Sequence, residues 1–156
     1  MWTELVQGVC SECHFGESAD EASIGDVHKT LLVPPPPELR SLWLEADGIL
    51  DEYGDGIWSV EETIQQNLEM RSYPDQNDLY MSFDSMFCFA GAGNGDLYFF
   101  PIQADGKINR PDVFLWNHET DSREWAFSRL QEFVEAWFSG SLSKSEDESE
   151  SEDEDE

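Results

Sequence analysis

Three short apolar runs stand out along the chain: Met86 to Ala90, Leu97 to Ile102 and Val113 to Trp116. Each is 4 to 6 residues long, aromatic and β-branched in character, and bounded by Gly, Asn, Asp or Pro, which is the signature of strands. Between the first two, Gly91-Ala92-Gly93-Asn94-Gly95-Asp96 reaches positive φ at little cost and predicts a tight hairpin. The next connection, Gln103 to Asp112, carries Asp105-Gly106 and Pro111, which supplies no ladder donor, so it predicts a loop. Asn117 to Ser122 is polar throughout and belongs on the surface.

Helical spacing surrounds these strands. Ser18 is the expected cap of a helix over Ala22 to Leu32, where Ile24, Val27, His28 and Leu31 share one face. Pro34 to Pro37 end it and place Pro37 at the first position of the next helix, whose stripe is Leu39, Leu42, Trp43 and Ala46, with Gly48 as its stop. Ile49 to Ser59 predicts a loop with short strand pieces. Ser59 then caps a helix through Met70, with Glu62 completing a capping box and Val60, Ile64 and Leu68 facing inward. Tyr73 to Asn77 reads as a loop. Ser128 caps a last helix to Phe138, built on Leu130, Phe133, Val134 and Trp137 and ended by Gly140.

One domain accounts for 156 residues, and 39% hydrophobic with 13% aromatic residues suffices for a modest core. The expected divisions are a poorly determined, loosely packed segment over 1–20, a folded unit over 21–140 and an acidic tail over 141–156. That tail has almost nothing apolar to bury, so it is expected to be disordered.

The formal net charge is -27, and the final twelve residues hold nine acids and no base, which leaves -18 for residues 1–144. Such a surface repels nucleic acid and anionic membranes and favours a basic protein partner. Solubility alone, or a high-salt habitat, would also account for the acidity. With no export signal, no membrane-length apolar run and three cysteines, Cys10, Cys13 and Cys88, the expectation is a cytoplasmic protein with free thiols.

Several local patterns suggest chemistry. Cys10-Ser11-Glu12-Cys13-His14 matches a c-type haem attachment sequence, but attachment follows export, and a zinc site lacks a second ligand pair at any recognisable spacing. Asp51, Asp55, Gly56 and Glu62 match four positions of a calcium loop, whereas Tyr53 fails the third. The glycine turn before Leu97 leads into a strand, and Asp96 would repel a phosphate. His118, Glu119 and Asp121 form the one candidate catalytic cluster, with no Ser or Cys motif beside it. No metal or cofactor is therefore expected, and no enzymatic activity.

The segments FAGAGNGDLYFFPI and RPDVFLWNHETDSREWAFSRLQEFVEAW, with PELRSLWLEADG, Tyr53-Gly54 through Asn67, and Tyr80 to Asp84, resemble the bacterial branch of the SUKH superfamily over about Ala22 to Gly140. The superfamily is named partly for a yeast regulator of cell-wall synthesis. The resemblance implies a single α+β domain with a central, mostly antiparallel sheet flanked by helices. It also implies an immunity protein that binds and neutralises a toxin, often a nuclease, without catalytic residues of its own. The cysteine segment and the tail depart from the family pattern and inherit no role from it.

The leading expectation is thus a protein-binding module whose acidic loops meet a basic toxin domain through Asp51, Asp55, Asp96, Asp112, His118, Glu119 and Asp121. Each of these is equally readable as a solvated surface group. A regulatory scaffold, with a tail whose Ser145, Ser149 and Ser151 suit acid-directed kinases, is the alternative. An enzyme or a calcium-responsive protein is the third reading.

Overall fold

The computed structural model describes residues 1–72 and 82–140. The expected loop at Tyr73 to Asn77 and the acidic tail lie outside the described residues. Five helices are described: α1 (Trp2–Gln7), α2 (Glu21–Leu31), α3 (Pro37–Glu45), α4 (Val60–Ser72) and α5 (Leu130–Phe138). The strands are β1 (His14–Phe15), β2 (Ile49–Leu50), β3 (Gly56–Ile57), β4 (Met86–Gly91), β5 (Leu97–Pro101), β6 (Val113–Trp116) and β7 (Arg123–Phe127). They form one antiparallel sheet in which spatial order follows chain order from β1 to β7. The chain is thus an α+β fold.

The three expected strands are β4, β5 and β6, and their unbroken apolar character has a structural cause. Both faces of the sheet are covered, so alternate side chains enter two cores. Phe87, Phe89, Tyr98, Phe100 and Val113 join one core with α2, α3 and α5. Met86, Cys88, Phe99 and Trp116 join Phe83 in the other. A bulge between Cys88 and Ala90 breaks the alternation, so that Phe89 and Ala90 both enter the larger core. The larger core is aromatic: the Phe133 ring stacks on Trp137 and also meets Phe89, Tyr98 and Phe127.

Several local expectations are corrected. The cap of α2 is Asp20, whose Oδ1 accepts from the Ser23 N–H at 2.8 Å, and not Ser18. Ser59 Oγ does accept from the Glu62 N–H, but the Glu62 carboxylate takes the Gln66 amide at 2.7 Å instead of completing the capping box. Leu68 is 43% exposed, and the buried positions of α4 are Val60, Thr63 and Asn67. Ser128 and its neighbour Arg129 start α5 differently from expectation: Arg129 is the cap residue, and Glu38 Oε1 accepts from the Leu130 N–H at 3.0 Å. β7 was not expected as a strand.

Asn67 explains the polar face of α4. β3 pairs with β4 only at Gly56 and Ile57, which leaves the rest of that β4 edge without a strand neighbour. The Asn67 side chain occupies the gap, donating to Cys88 O at 2.8 Å and accepting from Cys88 N–H at 2.9 Å. Arg71 donates to Met86 O at 3.0 Å and the Trp58 N–H to Phe89 O at 2.9 Å, so the edge is closed by side chains and one loop amide. Burial holds the Arg71 guanidinium below its usual range.

Beside Asn67, the buried Thr63 hydroxyl has no partner among the described residues. Thr63→Val removes an unsatisfied polar atom while keeping the shape. We expect it to be neutral or to raise stability by up to about 1 kcal/mol in urea unfolding; a loss above about 1 kcal/mol would show that the hydroxyl is bonded.

The first residues are not loosely packed. Trp2 and Val6 are buried, the Trp2 indole donates to Ser41 Oγ at 2.8 Å, and Glu45 Oε1 accepts from the Trp2 and Thr3 N–H groups. Cys10 and Cys13 are not free thiols either. They form a disulfide, and only Cys88 among the described residues remains reduced. Burial pushes the Cys88 thiol up to about 12.

Candidate functional site

Because every neighbouring pair of strands is antiparallel, successive connections alternate between the two ends of the sheet. The turns 51–55, 92–96 and 117–122 therefore share one end. The chain also enters β1 from that end, which brings the Cys10–Cys13 turn beside them. The end of α5 arrives there too, since Trp137 to Gly140 line one cleft with Val9 to Glu12 and Asp51 to Tyr53. These four turns carry Glu12, Asp51, Glu52, Asp55, Asp96, Glu119 and Asp121, and no Lys or Arg.

Close contacts tie the turns together. A Cβ added at Gly93 would lie 2.8 Å from Asp55 Oδ2, and one at Gly95 would lie 2.9 Å from the His118 ring. Both glycines have positive φ, 89° and 103°, so only glycine lets the middle turn fit between its neighbours without strain. Asp96 Oδ1 accepts from the His118 backbone N–H at 3.0 Å and lies 2.7 Å from His118 Nδ1. The sequence had grouped His118 with its neighbours Glu119 and Asp121; the fold pairs it with a carboxylate 22 residues away.

The predicted site residues play unequal parts. Asp51 Oδ1 holds its own turn closed by accepting from the Tyr53 and Asp55 N–H groups. Burial, and then the Asp51 charge, push the Asp55 carboxyl up. Asp121, at φ 62°, accepts from the Trp116 indole at 2.7 Å and pairs with Arg123 at 2.9 Å. Glu119 is exposed. Asp112 lies at the opposite end of the sheet, where Arg110, followed by the Trp125 indole, holds its carboxyl below the usual range, although burial opposes them. That end also carries Lys107, Arg110 and Arg129, which sit beside Asp105, Asp112 and Glu38, so it is close to balanced in charge while the four turns at the other end are acidic.

Two clefts flank the 51–55 turn. One, of about 480 Å³, is lined by His14, Leu50, Gly54, Ile57, Trp58 and Glu62 among others. The second, of about 410 Å³, contains Glu12, Asp51, Glu52, Tyr53 and Trp137. Glu12, Glu52, Tyr53 and Trp58 were not named as site residues from the sequence. The alternation of turns would have found the first three, had β1, β2 and β3 been long enough to recognise as strands.

The local patterns resolve differently. The Cys10 and Cys13 sulfurs of the haem-like sequence are bonded to each other. In the calcium-like loop, β3 and Ser59 intervene between Asp55 and Glu62, and the Glu62 carboxylate binds Gln66. Among the described residues, no group of three or more His, Cys, Asp or Glu side chains is arranged to hold a metal ion. No described helix is long and apolar enough to cross a membrane.

Comparison with known proteins agrees with the fold. A search of curated proteins returns no significant match. The family profile SUKH_6, described as SMI1-KNR4 cell-wall, matches residues 21–134, which runs from the start of α2 into α5. The match covers six of the seven strands, β2 to β7, and each of the three converging hairpin turns. The chain belongs to the SUKH_6 (SMI1-KNR4) family.

Proposed function

We propose that this chain is an immunity-type module that neutralises a basic toxin domain by binding it at the acidic end of the sheet. The observation that carries this reading is the acidity of one end: its four turns hold seven carboxylates and no Lys or Arg. Among the described residues, only Asp121 of these is paired to a neighbouring Lys or Arg, Arg123, whereas at the other end Lys107, Arg110 and Arg129 are offset by Asp105, Asp112 and Glu38. Family membership supports a protein-binding role. A surface of one sign raises the encounter rate with an oppositely charged protein and discriminates against acidic ones, while affinity comes from a few buried anchors. The two clefts beside the 51–55 turn suit such anchors.

The test uses any toxin domain found encoded beside this chain in its genome. Glu52→Lys combined with Glu119→Lys should lower the association rate about 10-fold at low ionic strength, with the difference fading toward 1 M salt, where screening acts within ~3 Å. Lys107→Glu, at the far end, should leave the rate unchanged or raise it. A complex whose rate ignores salt, or which weakens only on changes at the far end, removes this reading. A genome with no toxin gene beside this one would favour a cellular scaffold.

A further inference from the structure

We propose that the Cys10–Cys13 disulfide is a reversible thiol–disulfide exchange site, opened by a dithiol, whose state sets whether the turn it spans is ordered. The bond lies between α1 and β1 and joins cysteines at a sequence separation of 3. Both flanks are held without it. Before the turn, Trp2 and Val6 are buried, the Trp2 indole donates to Ser41 Oγ, and the Cys10 N–H donates to Val6 O at 2.8 Å. After it, His14 and Phe15 pair with Leu50 and Ile49, and the Gly16 N–H donates to Gly48 O at 3.0 Å. Between these anchors, Ser11, Glu12 and Cys13 make no backbone hydrogen bond to any described residue. The disulfide, with the packing of its two half-buried cysteines against the larger core, is therefore what fixes the turn.

A bond that closes so short a loop restrains the unfolded chain least, so its opening frees the turn and leaves the fold in place. The turn carries Glu12 and forms one side of the cleft of about 410 Å³ that Asp51, Glu52, Tyr53 and the end of α5 complete. Opening is a two-electron reduction. A thiolate of the dithiol attacks one sulfur of the pair, the other sulfur leaves and takes up a proton, and the second thiol of the reductant then resolves the mixed disulfide. The products are two protein thiols and the cyclic disulfide of the reductant. Glu12, Asp51 and Glu52 share the cleft with Cys10, and His14 is the one basic side chain next to the turn in sequence. A reductant with a carboxylate is repelled there, and one with an amine is drawn in.

The bearing of this turn on a partner rests on the function proposed above; the exchange chemistry does not. The native full chain is reduced with dithiothreitol, alkylated with iodoacetamide and weighed. Two alkyl groups should be added, at Cys10 and Cys13, and none at the buried Cys88, whose silence reports that the fold stays closed. Backbone order parameters of Ser11, Glu12 and Cys13 should fall from about 0.85 to about 0.6 or below, while those of β4 to β6 stay unchanged. Cys10→Ser combined with Cys13→Ser should show the same low values without any reductant. Dithiobutylamine, an amine, should open the bond at least about 3-fold faster than dihydrolipoate, a carboxylate, once each rate is divided by that reagent's rate on a neutral disulfide. High salt, or Glu12→Gln with Glu52→Gln, should close the gap. Alkylation of Cys88 in step with the other two, order parameters that ignore the state of the bond, or rates indifferent to reagent charge overturns the proposal. Normal exchange with no toxin binding would remove the toxin alone.

Discussion

Replacing Phe133 by alanine is expected to destabilise the fold by about 3–5 kcal/mol, the range for deleting a fully buried phenylalanine. Phe133 is completely buried on α5, and its ring is 5.5 Å from Phe89, 4.6 Å from Tyr98, 5.8 Å from Phe127 and 6.2 Å from Trp137, between centroids. These four rings come from β4, β5, β7 and α5, so the void would open where helix and sheet meet and no single side chain can turn to fill it. Edge-to-face contacts would be lost along with the apolar area. Phe133→Leu, which keeps part of the volume, should cost roughly half as much. Urea unfolding followed by tryptophan fluorescence measures both; a cost under about 1 kcal/mol for the alanine variant would mean that the larger core does not close around this ring.

Asn67→Leu should cost about 2–5 kcal/mol, although leucine is a better helix former and has the same branched shape. The reason lies across the interface: both the N–H and the C=O of Cys88 would lose their partner in a buried place, and each loss is worth about 1–3 kcal/mol. Asn67→Asp keeps an acceptor for the Cys88 N–H but removes the donor to the Cys88 carbonyl and buries a charge, so it should be no milder. The state of Cys88 gives an independent readout. Its thiol is buried and protonated in the native fold, and modification by iodoacetamide near pH 8 should accelerate in step with the loss of stability. Stability within about 0.5 kcal/mol of the parent in Asn67→Leu would show that water substitutes for the amide.

What could be read from the chain followed burial. β4, β5 and β6 were legible because both their faces are covered, which writes aromatic residues at consecutive positions. α5 was legible because its stripe is wholly apolar. β7 was not: at the end of the sheet, Glu124 and Trp125 are exposed, and the charged start of Arg123-Glu124 continues the polar run before it. The inward face of α4 was read only in part: Val60 is buried and Ile64 packs on the larger core, but the helix also bonds a strand edge, which calls for Asn67 where a periodicity argument looks for an aliphatic residue. The site was legible as a set of loops but not as a place. Asp55, Gly93, Gly95, Asp96 and His118 meet only through the order of strands, and that order depends on two-residue strands that leave no pattern. The disulfide escaped notice because an i, i+3 cysteine pair is also what a metal or haem motif looks like.

The unbroken sequence of neighbours from β4 to β7 also governs how the molecule assembles in time. Connections of 5, 11 and 6 residues join these four strands, and loops this short close at small entropic cost and early on the folding route. The hairpin tips at 92–96 and 117–122 are thus expected to take shape with the first pairings, before α2 and α3 have a sheet to dock on. The surface proposed to meet a partner would then be among the oldest parts of each newly folded copy.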